Sequence, residues 1–173
     1  MTVYDITLGD GRTTEELVAA ADYGYCHSQV FSENFPARPF NGRTPRQIVL
    51  ISFDRPISSE EATAEAAKQG LERPYYEDAL YFGIEFPNEQ LETPVAFLHD
   101  PWLGNHGRRD AICLWSNKGR RELGLEGFDD LWPAHYRLAF ARASLPRHDR
   151  FLIALAESSE RLLDAKFGHA YNS

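Results

Sequence analysis

The chain has 173 residues, of which 43% are hydrophobic and 13% aromatic, and its formal charge is −8. This length and composition suffice for one globular domain and exclude disordered, collagenous, coiled-coil and low-complexity classes. The longest apolar runs, 48–51 and 151–156, are far shorter than the ~20 residues that a membrane-spanning helix needs.

The N-terminal residues show neither a secretory signal nor a lipidation motif, which predicts a cytoplasmic protein. The two cysteines, Cys26 and Cys113, are far apart, and neither belongs to a Cys-x-x-Cys pair. We therefore expect two reduced, buried thiols and no cofactor.

Charge is distributed unevenly along the chain. Residues 1–100 hold 7 Lys and Arg against 17 Asp and Glu, whereas residues 101–150 hold 9 against 6. The acidic total disfavours a general nucleic-acid binder, which would need a basic surface. The basic region still offers a candidate anion-binding surface, although solvated turn residues and ion pairs are the simpler interpretation. The candidate residues are Arg108, Arg109, Lys118, Arg120, Arg121 and Arg137.

Two capping boxes predict helices in the first half of the chain. Thr13 to Glu16 begins a short helix that should end near Tyr23-Gly24, and Ser58 to Glu61 begins another that Gly70 ends. Between them, Gln47 to Phe53 is an almost continuous apolar run, which predicts a strand buried on both faces.

The second half is predicted to hold more strands. A helix begins at Pro74, and Thr93 to His99 pairs with Asp110 to Ser116 in a hairpin. Arg121 to Asp130 should lack long regular structure because glycines interrupt it, and His135 to Arg142 alternates like a strand.

The fold class follows from these elements. Residues 146–168 carry apolar side chains at helical spacing, which predicts a long amphipathic C-terminal helix. Helices and strands are grouped rather than alternating, and this predicts a single α+β domain. We expect a core over 1–142 with a largely antiparallel sheet of about four strands and flanking helices.

The most chemically suggestive segment is the loop after the first hairpin strand. His99, Asp100 and His106 could converge on a divalent metal, since imidazole and carboxylate groups are common metal ligands. Their spacing matches no established ligand pattern, and a hairpin loop collects such residues without a metal.

Other chemical motifs favour structural interpretations. Cys26-His27 lacks catalytic geometry, because adjacent residues on a strand point to opposite faces. Gly9-Asp10-Gly11 is predicted to be a turn and not a nucleotide loop, and Asp129-Asp130 is predicted to start a turn or helix.

Two segments carry a pattern seen elsewhere: Phe53-Asp54-Arg55-Pro56-Ile57-Ser58-Ser59, and a closing strand from Tyr136 to Arg142. In this order they resemble a family of bacterial and phage-associated proteins of unknown function. The resemblance covers residues 23–142. It implies no activity and no catalytic residue, and it supports treating 1–142 as the domain.

We therefore predict a binding or accessory module for a protein partner, with self-association as one form. The first alternative is a metal-dependent hydrolase or nuclease that uses His99, Asp100 and His106. The second is a nucleic-acid accessory factor that uses the basic residues of 108–121.

Overall fold

The computed structural model describes residues 1–38, 42–104 and 107–142. Within them the chain forms nine strands and four helices. The strands are β1 (Thr2–Leu8), β2 (Tyr25–Cys26), β3 (Thr44–Ser52), β4 (Leu71–Glu72), β5 (Val95–Phe97), β6 (Trp102–Leu103), β7 (Arg109–Asn117), β8 (Arg120–Gly127) and β9 (Arg137–Arg142). The helices are α1 (Thr14–Ala21), α2 (Ser59–Ala67), α3 (Tyr76–Glu85) and α4 (Glu89–Glu92).

All nine strands belong to one mixed sheet. Their order is β1-β3-β9-β5-β7-β8-β2, with β4 paired to β9 and β6 paired to β7. β2 runs parallel to β8 and β5 runs parallel to β9, while the other pairs are antiparallel. β1 therefore lies at one edge of the sheet.

Hydrophobic side chains cover both faces of this sheet. Ile48 and Leu50 of β3 belong to a cluster that includes Leu17 of α1 and Phe82 of α3. The alternate residues of β3 belong to a second cluster with Ala62 of α2. The predicted burial of this strand on both faces is confirmed, and the helices pack on opposite sides of the sheet.

Local signals locate several elements correctly. The capping box of α1 is confirmed, since Thr13 Oγ1 accepts a hydrogen bond from Glu16 N–H and the Glu16 carboxylate accepts one from Thr13 N–H at 2.8 Å. Ser58 caps α2 by accepting from Glu61 N–H. The predicted antiparallel pairing of β5 with β7 is present, and Lys118-Gly119 forms the turn between β7 and β8.

The prediction of a largely antiparallel sheet of about four strands is wrong, because the sheet is mixed and has nine strands. β1 is missing from the predicted strands, although Tyr4, Ile6 and Leu8 pack in the core and alternate with Asp5 and Thr7, because the exposed Val3 breaks the alternation. β8 occupies a segment predicted to be irregular, because glycines lower strand propensity. Gly124 is required there, since a Cβ at this position would overlap the Trp115 indole.

Three of the strands, β2, β4 and β6, have only two residues each and exist through pairing with distant strands. No local sequence pattern specifies such short segments. The predicted C-terminal helix over 146–168 lies outside the described residues. None of the four helices in the described part of the chain has the length and apolar character needed to cross a bilayer.

Candidate functional site

A cleft of about 350 Å³ opens where the end of β1 leads into α1. This volume lies within the range of small-molecule sites in proteins. We call it the β1–α1 cleft. The residues that matter for its chemistry are Gly11, Arg12, Thr13, Arg38, Glu77 and Tyr81.

The turn between β1 and α1 positions the first arginine of the cleft. Gly9 and Gly11 have φ angles of 84° and 87°, which glycine adopts without strain, and the predicted turn is confirmed. Arg12 Nε donates to Asp10 Oδ2 at 2.8 Å, and Tyr81 Oη donates to Asp10 Oδ1 at 2.7 Å. These bonds hold the pKa of Asp10 at about 2, so it remains a carboxylate. The Arg12 guanidinium is thereby fixed at the cleft.

Glu77 is the buried acid of the cleft. It lies in the first turn of α3, and its side chain is 1% exposed. Oε1 accepts a hydrogen bond from the Arg38 backbone N–H at 2.7 Å. Oε2 lies 3.4 Å from Arg38 Nε but has no hydrogen-bond partner in the described part of the chain. Burial raises the pKa of Glu77, because desolvation disfavours the charged form.

Arg38, the ionic partner of Glu77, and a second arginine, Arg46, contact the same aromatic ring. Its guanidinium carbon lies 3.7 Å from the centroid of the Tyr75 ring, and that of Arg46 lies 4.2 Å from the same centroid. Arg46 is buried and pairs with the fully buried Asp78, with Nη2 and Oδ2 3.1 Å apart. The pair ties β3 to the first turn of α3, which also carries Glu77.

A smaller cavity of about 210 Å³ adjoins the cleft, and the two share Arg12 and Tyr81 as lining residues. Arg43 and Glu85 line the smaller cavity. The combined surface presents guanidinium donors together with a buried carboxyl group. Such an arrangement can bind anionic groups and offers one acid that could take or give a proton.

His99 lies in the core, where both of its ring nitrogens are hydrogen-bonded to backbone groups. The residue is 1% exposed, Nε2 accepts from Ile112 N–H at 2.9 Å, and Nδ1 donates to the Asp100 carbonyl at 2.7 Å. Burial lowers the pKa of His99 to about 4. A metal bound at either nitrogen would displace one of these hydrogen bonds. Asp100 is exposed, and His106 lies outside the described residues.

Within residues 1–38, 42–104 and 107–142, no three His, Cys, Asp or Glu side chains are grouped as a metal site would require. The hydrolase alternative therefore stays a prediction, since the placement of His106 would decide it.

The six basic candidates do not form one cluster of free cations. Arg108 Nε lies 2.8 Å from Asp110 Oδ1, Arg109 pairs with Asp129, and Arg120 donates to the Gly24 carbonyl. Lys118 is an exposed turn residue.

The remaining two candidates also bond to groups of the protein. Arg121 donates to the carbonyls of Ala21 and Gly83, which lie at or near the C-terminal ends of α1 and α3. Arg137 Nη1 donates to Glu89 Oε2 at 2.8 Å, which is the ion pair expected for it. Arg121 contributes to the fold in this way because cations favour the C-terminal ends of helices. Arg137 contributes through its ion pair with Glu89, the first residue of α4.

The two thiols lack catalytic geometry. Cys26 Sγ contacts the carbonyl of His27, not its ring, and burial raises the pKa of Cys26 to about 11. Cys113 is fully buried, and its pKa is raised well above the ordinary value. Both cysteines are unbridged, but only Cys113 is fully buried, so the prediction of two buried thiols is wrong for the half-buried Cys26. A thiolate nucleophile needs a lowered pKa, so neither residue is poised for nucleophilic attack.

No sequence pattern marks Arg12, Arg38 and Glu77 as one site. One signal was available at Arg46, which lies on the same face of β3 as Ile48. A charged residue at an inward strand position requires a buried partner, and Asp78 next to Glu77 is that partner.

Comparison with protein-family models, with characterised proteins and with solved structures finds no match to this chain. The resemblance to the bacterial and phage-associated family therefore stays a prediction.

Proposed function

We propose that the chain is a binding module for a small ligand with an anionic group, which the β1–α1 cleft accommodates. The observation that carries the proposal is the presence of Arg12 and Arg38 in one cleft, with side chains 33% and 42% exposed. A guanidinium has five donors, and each of these two uses only part of them on a carboxylate. The remaining donors suit carboxylate or phosphate oxygens.

The distribution of basic residues supports this site. Residues 1–100 carry only 7 Lys and Arg in a strongly acidic segment. Three of the seven, Arg12, Arg38 and Arg43, line the cleft or the adjoining cavity. Three of the seven basic residues of this segment thus lie where a ligand would enter.

Calorimetric titration with malonate at low ionic strength tests the proposal. We expect wild type to bind malonate, and Arg12→Gln and Arg38→Gln each to bind it about tenfold more weakly, since each removes a charge-assisted contact. Arg109→Gln is the matched control, because this exposed arginine pairs with Asp129 outside the cleft. Equal affinity in all four proteins, or no binding to wild type, would contradict the proposal.

A second candidate is the expected protein partner, bound along β1. In the described part of the chain no strand pairs with the outer edge of β1, and Val3 is 41% exposed. Glu85 Oε1 accepts from Thr7 N–H at 3.2 Å, so part of this edge is already covered. An extended segment of a partner could pair with the rest, as in strand addition.

The variant Val3→Lys tests this second candidate, because an exposed lysine discourages edge pairing without altering the core. A protein that copurifies with wild type should be lost from this variant. Equal retention by both proteins would count against strand addition.

A further inference from the structure

Glu77 has one oxygen, Oε2, that is paired with Arg38 Nε at 3.4 Å but receives no hydrogen bond from the described residues. Its Oε2 atom is buried and has no hydrogen-bond partner among the described residues, although Glu77 lines the cleft. Buried polar atoms in folded proteins almost always have a partner, so an orphaned oxygen at a cleft calls for an explanation. A donor group on a bound ligand would provide the partner.

Asp10, the other acid beside the cleft, is not available to a ligand in the same way. It accepts from Arg12 Nε, from the Arg12 backbone N–H at 3.2 Å, and from Tyr81 Oη. Its two oxygens are therefore occupied by the protein. Glu77 is the acid with capacity left for a ligand.

The charges of the cleft are balanced before any ligand enters. Two guanidinium groups, Arg12 and Arg38, face two carboxyl groups, Asp10 and Glu77. A ligand with an anionic group alone would disturb this balance, whereas a ligand with one charge of each sign would preserve it.

We propose that the cleft selects a small amino-carboxylate, whose carboxylate meets Arg12 and Arg38 and whose ammonium group donates to Glu77 Oε2. This inference rests on the proposed function and names the class of its ligand. An ammonium group brings a full positive charge to the Glu77 carboxylate and a hydroxyl brings none, which makes the ammonium contact the stronger of the two.

Three probes with the same carbon chain test the assignment: L-2-aminobutyrate, L-2-hydroxybutyrate and butyrate. Calorimetric titration of wild type should show aminobutyrate binding about tenfold more tightly than butyrate, with the hydroxy acid weaker than the amino acid. In Glu77→Gln the preference should disappear, so that aminobutyrate binds no more tightly than butyrate to this variant. Circular dichroism checks that the variant is folded. If it is not, the comparison of the three probes on wild type decides.

The outcomes separate the two proposals. Equal affinity of wild type for all three probes would overturn the amino-carboxylate assignment and leave the anion site standing. Equal binding of the amino and hydroxy acids, both tighter than butyrate, would overturn the requirement for a positive charge. An absence of binding by every probe and by malonate would overturn the anion site itself.

Discussion

Arg46 and Asp78 form the most deeply buried ion pair in the described part of the chain, with side chains 3% and 0% exposed. Asp78 accepts from Arg46 Nε at 3.2 Å and from the Tyr75 backbone N–H at 2.7 Å. Burial raises the pKa of Asp78, and the adjacent guanidinium opposes that rise. The pair positions α3, which carries Glu77, against β3.

Removing one charge of this pair should destabilise the folded protein. In Asp78→Asn the Arg46 cation stays buried with only the partly exposed Glu72 as an ionic partner, and we expect a loss of about 3 kcal/mol in the free energy of unfolding. Glu72→Gln is the control and should lose less than about 1 kcal/mol, because Glu72 is 42% exposed. Urea unfolding measures both. Similar losses in the two variants would show that the buried pair is not the anchor of α3.

His99 should make stability depend on pH. Its pKa is about 4 in the folded state against 6.5 for an ordinary histidine, so the unfolded chain binds the extra proton between these values. The stability that neutral His99 provides is therefore complete above pH 6.5 and falls as the pH drops towards 4. At pH values well below 4 the loss in the free energy of unfolding should reach about 3 kcal/mol.

Urea unfolding of wild type and His99→Gln at pH 7 and pH 5 measures this effect. Wild type should lose more stability than the variant on going to pH 5, since the contributions of the other acids are common to both proteins. An equal loss in both proteins would contradict the assignment of a neutral, buried His99.

At the scale of elements, α3 is buried around most of its circumference, from Glu77 to Gly83. Gly83 leaves space for Tyr23, which follows α1, because a Cβ at position 83 would overlap the Tyr23 hydroxyl. That hydroxyl is buried and has no hydrogen-bond partner among the described residues. The glycine therefore permits close packing of the segment after α1 against α3.

Gly83→Ala should destabilise the protein, although alanine favours a helix over glycine by about 1 kcal/mol. The expected loss is about 2 kcal/mol, which is typical of overpacking. The double variant Tyr23→Phe, Gly83→Ala should recover part of it, because the overlapping oxygen makes no hydrogen bond and is removed, while ring atom Cζ stays 3.0 Å from the new Cβ. Thermal unfolding of both variants provides the test, and a stabilised Gly83→Ala would show that this contact is loose.

Elements with strong local signals could be predicted from the sequence. Capping residues such as Thr13 and Ser58 act within four residues, so the starts of α1 and α2 are local properties. β8 could not be predicted, because its glycines lower strand propensity and the reason for Gly124, the close approach of the Trp115 indole, exists only once β7 and β8 pair. Information of that kind lies in the pairing of strands and not in either segment alone.

At the scale of the molecule, the cleft is a product of topology. β1 pairs with β3 at one edge of the sheet, and α1 and α3 lie over the same face, which brings together residues 9–13, 38, 77 and 81. These four segments are separated by up to about seventy positions in the chain. No spacing in the sequence reveals such a site, whereas the predicted His99 to His106 segment was visible because it is contiguous.

We propose that anions bind at the β1–α1 cleft and not at the basic region 108–121. Mapping of backbone amide shifts in a malonate titration of the ¹⁵N-labelled chain tests it most directly. We predict that the shifts concentrate at Gly9, Gly11, Arg12 and Arg38, with little change at residues 108–121. Shifts centred on residues 108–121, or spread evenly over the surface, would contradict the account.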